Sequence, residues 1–205
     1  MVDVSIDGRV LKGEQTRGAI LARAADLAST EGLEGLSIGR LATELGISKS
    51  GVFTHFGSKE ELQLATVRKA AEVFRQHVVE PALAAPRGLR RLRALIEAWQ
   101  RYQRGLVFPG GCFFDSTMAE FDARPGRVRD AIASSQRDWS AFLERCVGQA
   151  RDLGELDGTT DVAQLAFELD AVCRTASIYA VLYDDPSIYE RAARAVDTRL
   201  VAASV

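Results

Sequence analysis

Apolar residues recur at intervals of three and four along nearly the whole chain, the period of helices packed on one face, and predict an all-α protein. Ile20, Ala24, Leu27 and Ala28 mark a first helix, with Arg17, Arg23 and Asp26 on its other faces. Leu41 and Leu45 precede Gly46, and Val52 and Phe56 follow it, so two short helices share an apolar face across a sharp turn. Leu64, Val67, Ala71, Phe74 and Val78 carry a helix towards a break at Pro81 and Pro86, and Leu89, Leu92, Leu95, Ile96 and Trp99 begin the next stripe. Phe108, Pro109, Gly110 and Gly111 read as a loop. A helix follows through Cys112, Phe113, Met118 and Phe121 and ends at Arg124, Pro125 and Gly126. Val128, Ile132, Ser135, Trp139, Phe142 and Cys146 trace a long buried seam. Leu165, Leu169, Val172, Ala176, Tyr179 and Tyr183 trace another behind caps at Thr160 and Asp161, but Phe167, Ala171, Ile178 and Leu182 lie off that stripe and call for a second partner. Asp185 and Pro186, as N-cap and first helical residue, start a last helix carrying Ile188, Ala192, Ala195 and Val196, which pack either within the chain or against another copy.

The turn at Gly46 has the chemistry of a helix-turn-helix. Ala42 is small enough for two helices to cross closely, Gly46 can adopt the left-handed conformation that ends the first, Ile47 plugs the corner, and Val52 points back into the crossing. Ser37 and Ser48 stand where N-caps are needed, and Ser58 with Glu61 forms a capping box for a third helix whose first turn carries Lys59. A cation at the positive end of a helix dipole needs an anionic partner, which a DNA phosphate supplies, unless it is simply solvated. Three helices of this size make a thin core, so the unit leans on the helix starting at Ser58, which becomes its mechanical link to the rest of the chain.

Composition sets limits. A chain of 205 residues with a net charge of -2 suits one small and one larger domain and is not broadly basic. Within residues 1–60 the acids balance the bases, so nonspecific phosphate neutralisation is modest and DNA binding requires the cations to cluster on one surface. The opening MVDVSIDGRVLKGEQ has no apolar h-region, and the most apolar stretch, Val162 to Tyr183, is broken by Glu168, Asp170 and Arg174; a cytoplasmic protein without a membrane span is expected.

The stretch TRGAILARAADLASTEGLEGLSIGRLATELGISKSGVFTHFGSKEEL, Thr16 to Leu62, resembles the DNA-binding domain of the tetracycline-repressor (TetR) family. It shares the Thr-Arg helix start, the apolar helix ending in Glu-Gly, and the Phe-x-Ser-Lys-x-x-Leu close. The resemblance implies a helix-turn-helix DNA-binding domain over residues 1–57 and a helical ligand-binding and dimerisation domain over 58–205. It implies that Lys49, Ser50, Gly51 and Thr54 face base edges in the major groove, and that Ser37, Ser48, His55 and Lys59 contact phosphates. Two positions depart from the pattern: Phe53 stands where many members carry a phosphate-binding tyrosine, and Gly51 weakens the interior of the recognition helix. The implied partners are a palindromic double-stranded operator, a second copy joined through the last two helices, and a small-molecule effector that releases a repressor from DNA. No cofactor is implied.

The aromatics Trp99, Tyr102, Phe108, Phe113, Phe114, Phe121, Trp139 and Phe142 concentrate in the central helices with Met118 among them. They serve as core or as walls of a ligand cavity, where the resemblance places an effector. Trp99, Tyr102, Phe113, Phe114, Met118, Phe121, Trp139 and Phe142 are therefore the candidate ligand-binding set, with Asp115, Ser116, Thr117 and Arg101 as sources of polarity. Cys112, Cys146 and Cys173 have no paired spacing and imply no disulfide framework. Cys112 stands at a helix N-terminus, where the dipole can lower a thiol pKa for electrophile or redox sensing, or is a buried thiol against Phe113. His55 and His77 lack the neighbours of a metal site, and no nucleophile, phosphate-loop or paired-carboxylate pattern points to an enzyme. A helical ligand-binding module without DNA affinity is the remaining alternative.

Overall fold

The periodicity is realised as helices throughout. The computed structural model describes residues 8–205; the first seven residues, which include the start of the expected first domain and part of the opening segment read for a signal peptide, lie outside the described residues. The elements are α1 (Gly8–Glu31), α2 (Ile38–Leu45), α3 (Lys49–Phe56), α4 (Lys59–Phe74), α5 (Leu89–Arg104), α6 (Phe113–Phe121), α7 (Arg127–Asp152), α8 (Val162–Leu182) and α9 (Ser187–Ala203). They form an N-terminal helix-turn-helix domain and a C-terminal helical domain.

Local chemistry sets the ends of these elements. The hydroxyls of Ser37, Ser48 and Ser58 accept from the backbone N–H groups of Arg40, Gly51 and Glu61, each at 3.0–3.1 Å, and Asp161 caps α8 through Gln164 at 3.0 Å. At Ser58 the reciprocal half of the capping box is replaced: the carboxylate of Glu61 turns to Arg127 at 2.8 Å. The last helix begins at Ser187, one residue later than expected, because Asp185 uses its carboxylate to accept from the Ser187 N–H at 2.9 Å.

The break expected at Pro81 and Pro86 falls only around the second, over residues 84–88. α4 runs on through a π-helical turn, Arg75–Val79, into Glu80–Leu83. The widened turn lets the chain pass the missing N–H of Pro81 and places the proline at the start of the next turn, where that donor is not required. Helical structure thereby continues from Lys59 to Leu83.

One apolar core joins α1 through α4 to the C-terminal helices, from Ile20 and Leu41 through Leu62, Leu92 and Phe113 to Leu169 and Leu200. A smaller cluster, Ala176, Ala180, Tyr189 and Ala192, sits between α8 and α9. Of the four apolar residues read on the last helix, Ala192 and Val196 are therefore buried within the chain, while Ala195 is exposed. Of the residues off the α8 stripe, Phe167 is 68% and Leu182 69% exposed, with Ile178 exposed beside them; Tyr179 and Tyr183, read as part of the buried stripe, are exposed too, as is Val201 on α9. Among the described residues no helix is long and apolar enough to cross a membrane.

Candidate nucleic-acid interface and central cavity

The corner between α2 and α3 follows from four residues. Gly46 adopts φ 64° and ψ 28°, and the Ile47 N–H then reaches back to the Ala42 carbonyl at 3.0 Å, closing the end of α2. Leu41, Ala42, Val52 and Phe56 are buried at the crossing. Their burial orients the opposite face of α3 outwards: Lys49, Ser50 and Thr54 are exposed and Gly51 is partly so. Among the described residues no other helix covers this face, which is the requirement for entering a groove. Phe53 lies on it as well, 54% exposed.

The polar groups around this face are ordered. Ser48 shares its hydroxyl with Ser50 at 3.0 Å, and Thr54 donates to the Ser50 carbonyl at 2.8 Å. His55 is half-buried, and its carbonyl accepts from Arg17, whose guanidinium also lies 4.4 Å over the Phe56 ring. Several cations of the domain already have carboxylate partners. Arg23 and Arg40 share Glu44, and Arg40 also pairs with Glu31. Lys59 donates to the Glu34 carbonyl at 2.6 Å and to its carboxylate at 3.0 Å. The anion that Lys59 requires is thus supplied within the chain. Its hydrogen bond holds the Glu34 carboxyl below the usual range, despite some opposing burial.

The end of α1 and the loop between α1 and α2 are clasped from the C-terminal side, a feature the sequence reading missed. Gln63, buried on α4, donates to the Leu33 carbonyl at 3.0 Å and to Glu34 at 3.2 Å. Glu120 on α6 accepts from the backbone N–H groups of Leu33 and Glu34. Ser116 donates to the Ser29 carbonyl at 3.1 Å, and the Gly110 N–H donates to the Ser29 hydroxyl at 3.0 Å. At Gly110 a Cβ would lie 2.0 Å from the Ser29 carbonyl oxygen, so only glycine permits this approach. Nothing in the spacing of α4 marks Gln63 for this role, since the contact depends on a loop 29 and 30 residues away.

A cavity of about 310 Å³ lies between α4, the π-helical turn, α5, the start of α6, α7 and α8. Trp99, Phe114, Trp139 and Phe142 line it, joined by Ala71, Phe74, Arg75, Val79, Cys112, Ser135, Gln136, Asp138, Arg145 and Arg174. Phe74 meets Trp139 edge to face at 5.0 Å between ring centroids, and Trp99 meets Trp139 at 4.9 Å. The other four aromatic and methionine candidates stand behind this wall. Phe113 packs against Phe108 and Phe114, and Phe121 lies beneath Arg124. Tyr102 directs its hydroxyl to Cys112 at 4.0 Å, and Met118 accepts from Arg174 at 3.8 Å. The rotation of about 100° per helical residue separates neighbours such as Phe113 and Phe114 onto different faces. Of the proposed polar groups, Arg101 is exposed, Ser116 serves Ser29, and Thr117 donates to the Phe113 carbonyl at 3.0 Å.

Arg174 organises the polar side of the cavity. Its Nε donates to Asp170, one terminal nitrogen donates to Gln136 at 3.0 Å and Asp170 at 3.2 Å, and the other donates to Asp115 at 2.9 Å and Met118. Asp170 also accepts from the Trp139 indole at 2.7 Å. Burial opposes the Arg174 charge, yet the two carboxylates hold its pKa above the ordinary value; burial pushes the Asp115 carboxyl up against the attraction of Arg174.

Of the two readings of Cys112, burial favours the buried thiol. The residue is the N-cap of α6, and the Asp115 and Phe114 backbone groups do favour its thiolate, but burial and the nearby Asp115 carboxylate outweigh them and push the thiol up to about 12. Cys146 and Cys173 are also free and buried. Among the described residues no three His, Cys, Asp or Glu side chains gather as a metal ligand set requires.

Comparison with known proteins gives a consistent result. The model of the bacterial regulatory proteins, tetR family, matches residues 20–66, and that of the tetracyclin repressor-like C-terminal domain matches residues 88–196. An uncharacterized HTH-type transcriptional regulator of Bacillus subtilis, YezE, is 28% identical over 152 residues, 72% of this chain and 76% of that protein. The HTH-type transcriptional activator FasR of Mycolicibacterium smegmatis is 28% identical over 92 residues, 45% of this chain and 42% of that protein. The crystal structure of a TetR transcriptional regulator from Chloroflexus aurantiacus superposes with a TM-score of 0.87 at 25% identity, covering 94% of this chain and 98% of that one.

Proposed function

The chain belongs to the tetracycline-repressor family of DNA-binding transcriptional regulators, which are not enzymes, and from that premise we propose that it is a cytoplasmic, ligand-responsive repressor. A dimer holds its operator while the cavity is empty and leaves when an effector fills it. The division proposed is residues 1–57 for DNA and residues 58–205 for effector binding and dimerisation.

The observation that carries this reading is the span of α4 and its extension. Its first turns hold the loop before α2 through Lys59 and Gln63, and its far end walls the cavity through Ala71, Phe74, Arg75 and Val79. α6 makes a second connection, with Phe114 in the cavity wall and Glu120 on the α1–α2 loop. A ligand that moves either helix therefore moves the platform of α3. Linkage requires that such a ligand bind less tightly when operator is present, by a coupling of about 1–3 kcal/mol.

In this reading Lys49, Ser50, Gly51 and Thr54 meet base edges, while Ser37, Ser48 and His55 meet phosphates; Lys59 contributes to the phosphate contact while remaining tied to Glu34. The exposed apolar strip of α8 and α9, with Phe167, Leu182 and Val201, is the dimer contact. Two copies then present α3 to successive major grooves about 34–36 Å apart on a palindromic site. The activator FasR shares too little of its length with this chain to carry over its sign of regulation.

Selection of bound duplexes from a random library with purified protein tests the proposal. A palindrome with half-sites one helical turn apart is expected; failure to retain any duplex at low ionic strength would end it. Expression of a reporter behind the selected site, with and without the protein, gives the sign.

A further inference from the structure

Resting on the reading of the central cavity as the effector site, we propose that it takes an uncharged, mainly aromatic or apolar molecule bearing a hydrogen-bond acceptor oxygen, and that the indole N–H of Trp99 is the donor to that oxygen.

Three observations lead there. Five rings, Phe74, Trp99, Phe114, Trp139 and Phe142, stand in the walls and reward a flat apolar body. Trp99 is only 2% exposed, and among the described residues its indole N–H has no acceptor. A buried donor left unpaired costs free energy that a ligand oxygen recovers. The other tryptophan is already committed, since Trp139 donates to Asp170.

Arg174 gives the third observation, because it is the cation that an acidic ligand would seek. All five of its N–H groups are engaged: with both oxygens of Asp170, with Gln136, with Asp115 and with Met118. Two carboxylates surround this one guanidinium, so there is no surplus positive charge for an anion. A cation gains from aromatic faces but meets the same guanidinium in the wall, and an indole N–H offers it no lone pair. At the rim Arg75 is paired with Glu80 and Arg145 lies over Phe142, beside the exposed Asp138, so the entrance favours neither sign.

The test uses four probes of one shape with the full chain: 2-acetylnaphthalene, 2-ethylnaphthalene, 2-naphthoate and 2-naphthyl-trimethylammonium, titrated calorimetrically. The ketone is expected to bind about tenfold tighter than the hydrocarbon, the worth of one hydrogen bond, and both ions more weakly than the hydrocarbon. In Trp99→Phe the preference for the ketone should fall to within about twofold. The chain has two tryptophans, so an NMR spectrum of the unsubstituted protein shows two indole N–H signals, and the ketone should move one of them further than the hydrocarbon does, which keeps the test independent of the variant's folding. Tighter binding of either ion, equal binding of ketone and hydrocarbon, or a ketone preference that survives in folded Trp99→Phe overturns the ligand class and leaves the cavity as an effector site. Binding of none of the four overturns both readings.

Discussion

Glu120 accepts the backbone N–H of Leu33 at 2.7 Å, joining α6 of the C-terminal domain to the loop that introduces α2. The same carboxylate accepts from Glu34 at 2.9 Å, so two adjacent donors that a loop would otherwise leave to water are fixed by one side chain 86 and 87 residues away. With Gln63, Lys59 and the Gly110–Ser29 contact, this clasp ties the helix-turn-helix domain to the C-terminal helices. Glu120→Ala is expected to lower stability by about 1–3 kcal/mol, measured by urea denaturation, and to weaken the antagonism between effector and operator. A variant with unchanged stability and unchanged coupling would show that the clasp is idle.

Thr54 and Lys59 should separate by role. Thr54→Ala is expected to change which operator variants are preferred. Lys59→Ala should weaken all duplexes nearly equally and reduce the slope of log affinity against log salt by less than about 1, because Glu34 already neutralises part of its charge. Competition assays across a set of operator variants at several salt concentrations give both quantities; identical behaviour of the two variants would contradict the assignment.

The Lys59–Glu34 contact also has a pH signature. The folded-state pKa of Glu34 is depressed, chiefly by the hydrogen bond from Lys59, so the contact's contribution is present above the carboxyl's unfolded value and is lost as pH falls through the lower folded value. Glu34→Gln should narrow the stability difference between pH 7 and pH 3 relative to the unsubstituted chain, measured by thermal unfolding at each pH.

Gly46→Ala is a test of the turn alone. The added methyl meets no atom within 4 Å, so the whole cost comes from holding alanine at φ 64°. A loss of about 1–2 kcal/mol is expected, together with weaker operator binding, since the angle of α3 depends on this corner. Wild-type stability in Gly46→Ala would mean that the corner had been misjudged.

The thiols should be quiet. Burial holds Cys112 and Cys173 near 12 and raises Cys146, so the native protein should react with a disulfide reagent at neutral pH far more slowly than the denatured chain, which exposes all three. Rapid modification of Cys112 in the folded protein, mapped by mass spectrometry, would revive the sensor reading.

What the sequence determined by itself was local. The caps at Ser37, Ser48, Ser58 and Asp161, the left-handed Gly46 and the apolar faces of α1 to α3 depend on residues within a turn or two of one another, and each could be placed without knowing the rest of the fold. The family resemblance was equally local, resting on Thr16 to Leu62. Periodicity also showed that Phe113, Trp139 and Leu169 would be buried, but a helical stripe says only that a face is covered, not by what. The tertiary structure decided that Phe114 faces the cavity and Phe113 the core, that Ala192 and Val196 are buried within the chain, and that Lys59 finds Glu34. It also brought Arg174 to Asp115 and Gln136, residues 59 and 38 positions away, and set Gly110 against Ser29 across 81. Those meetings depend on how whole helices stack and rotate against one another, a relation fixed by the summed packing of every apolar face and carried by no single stretch of sequence.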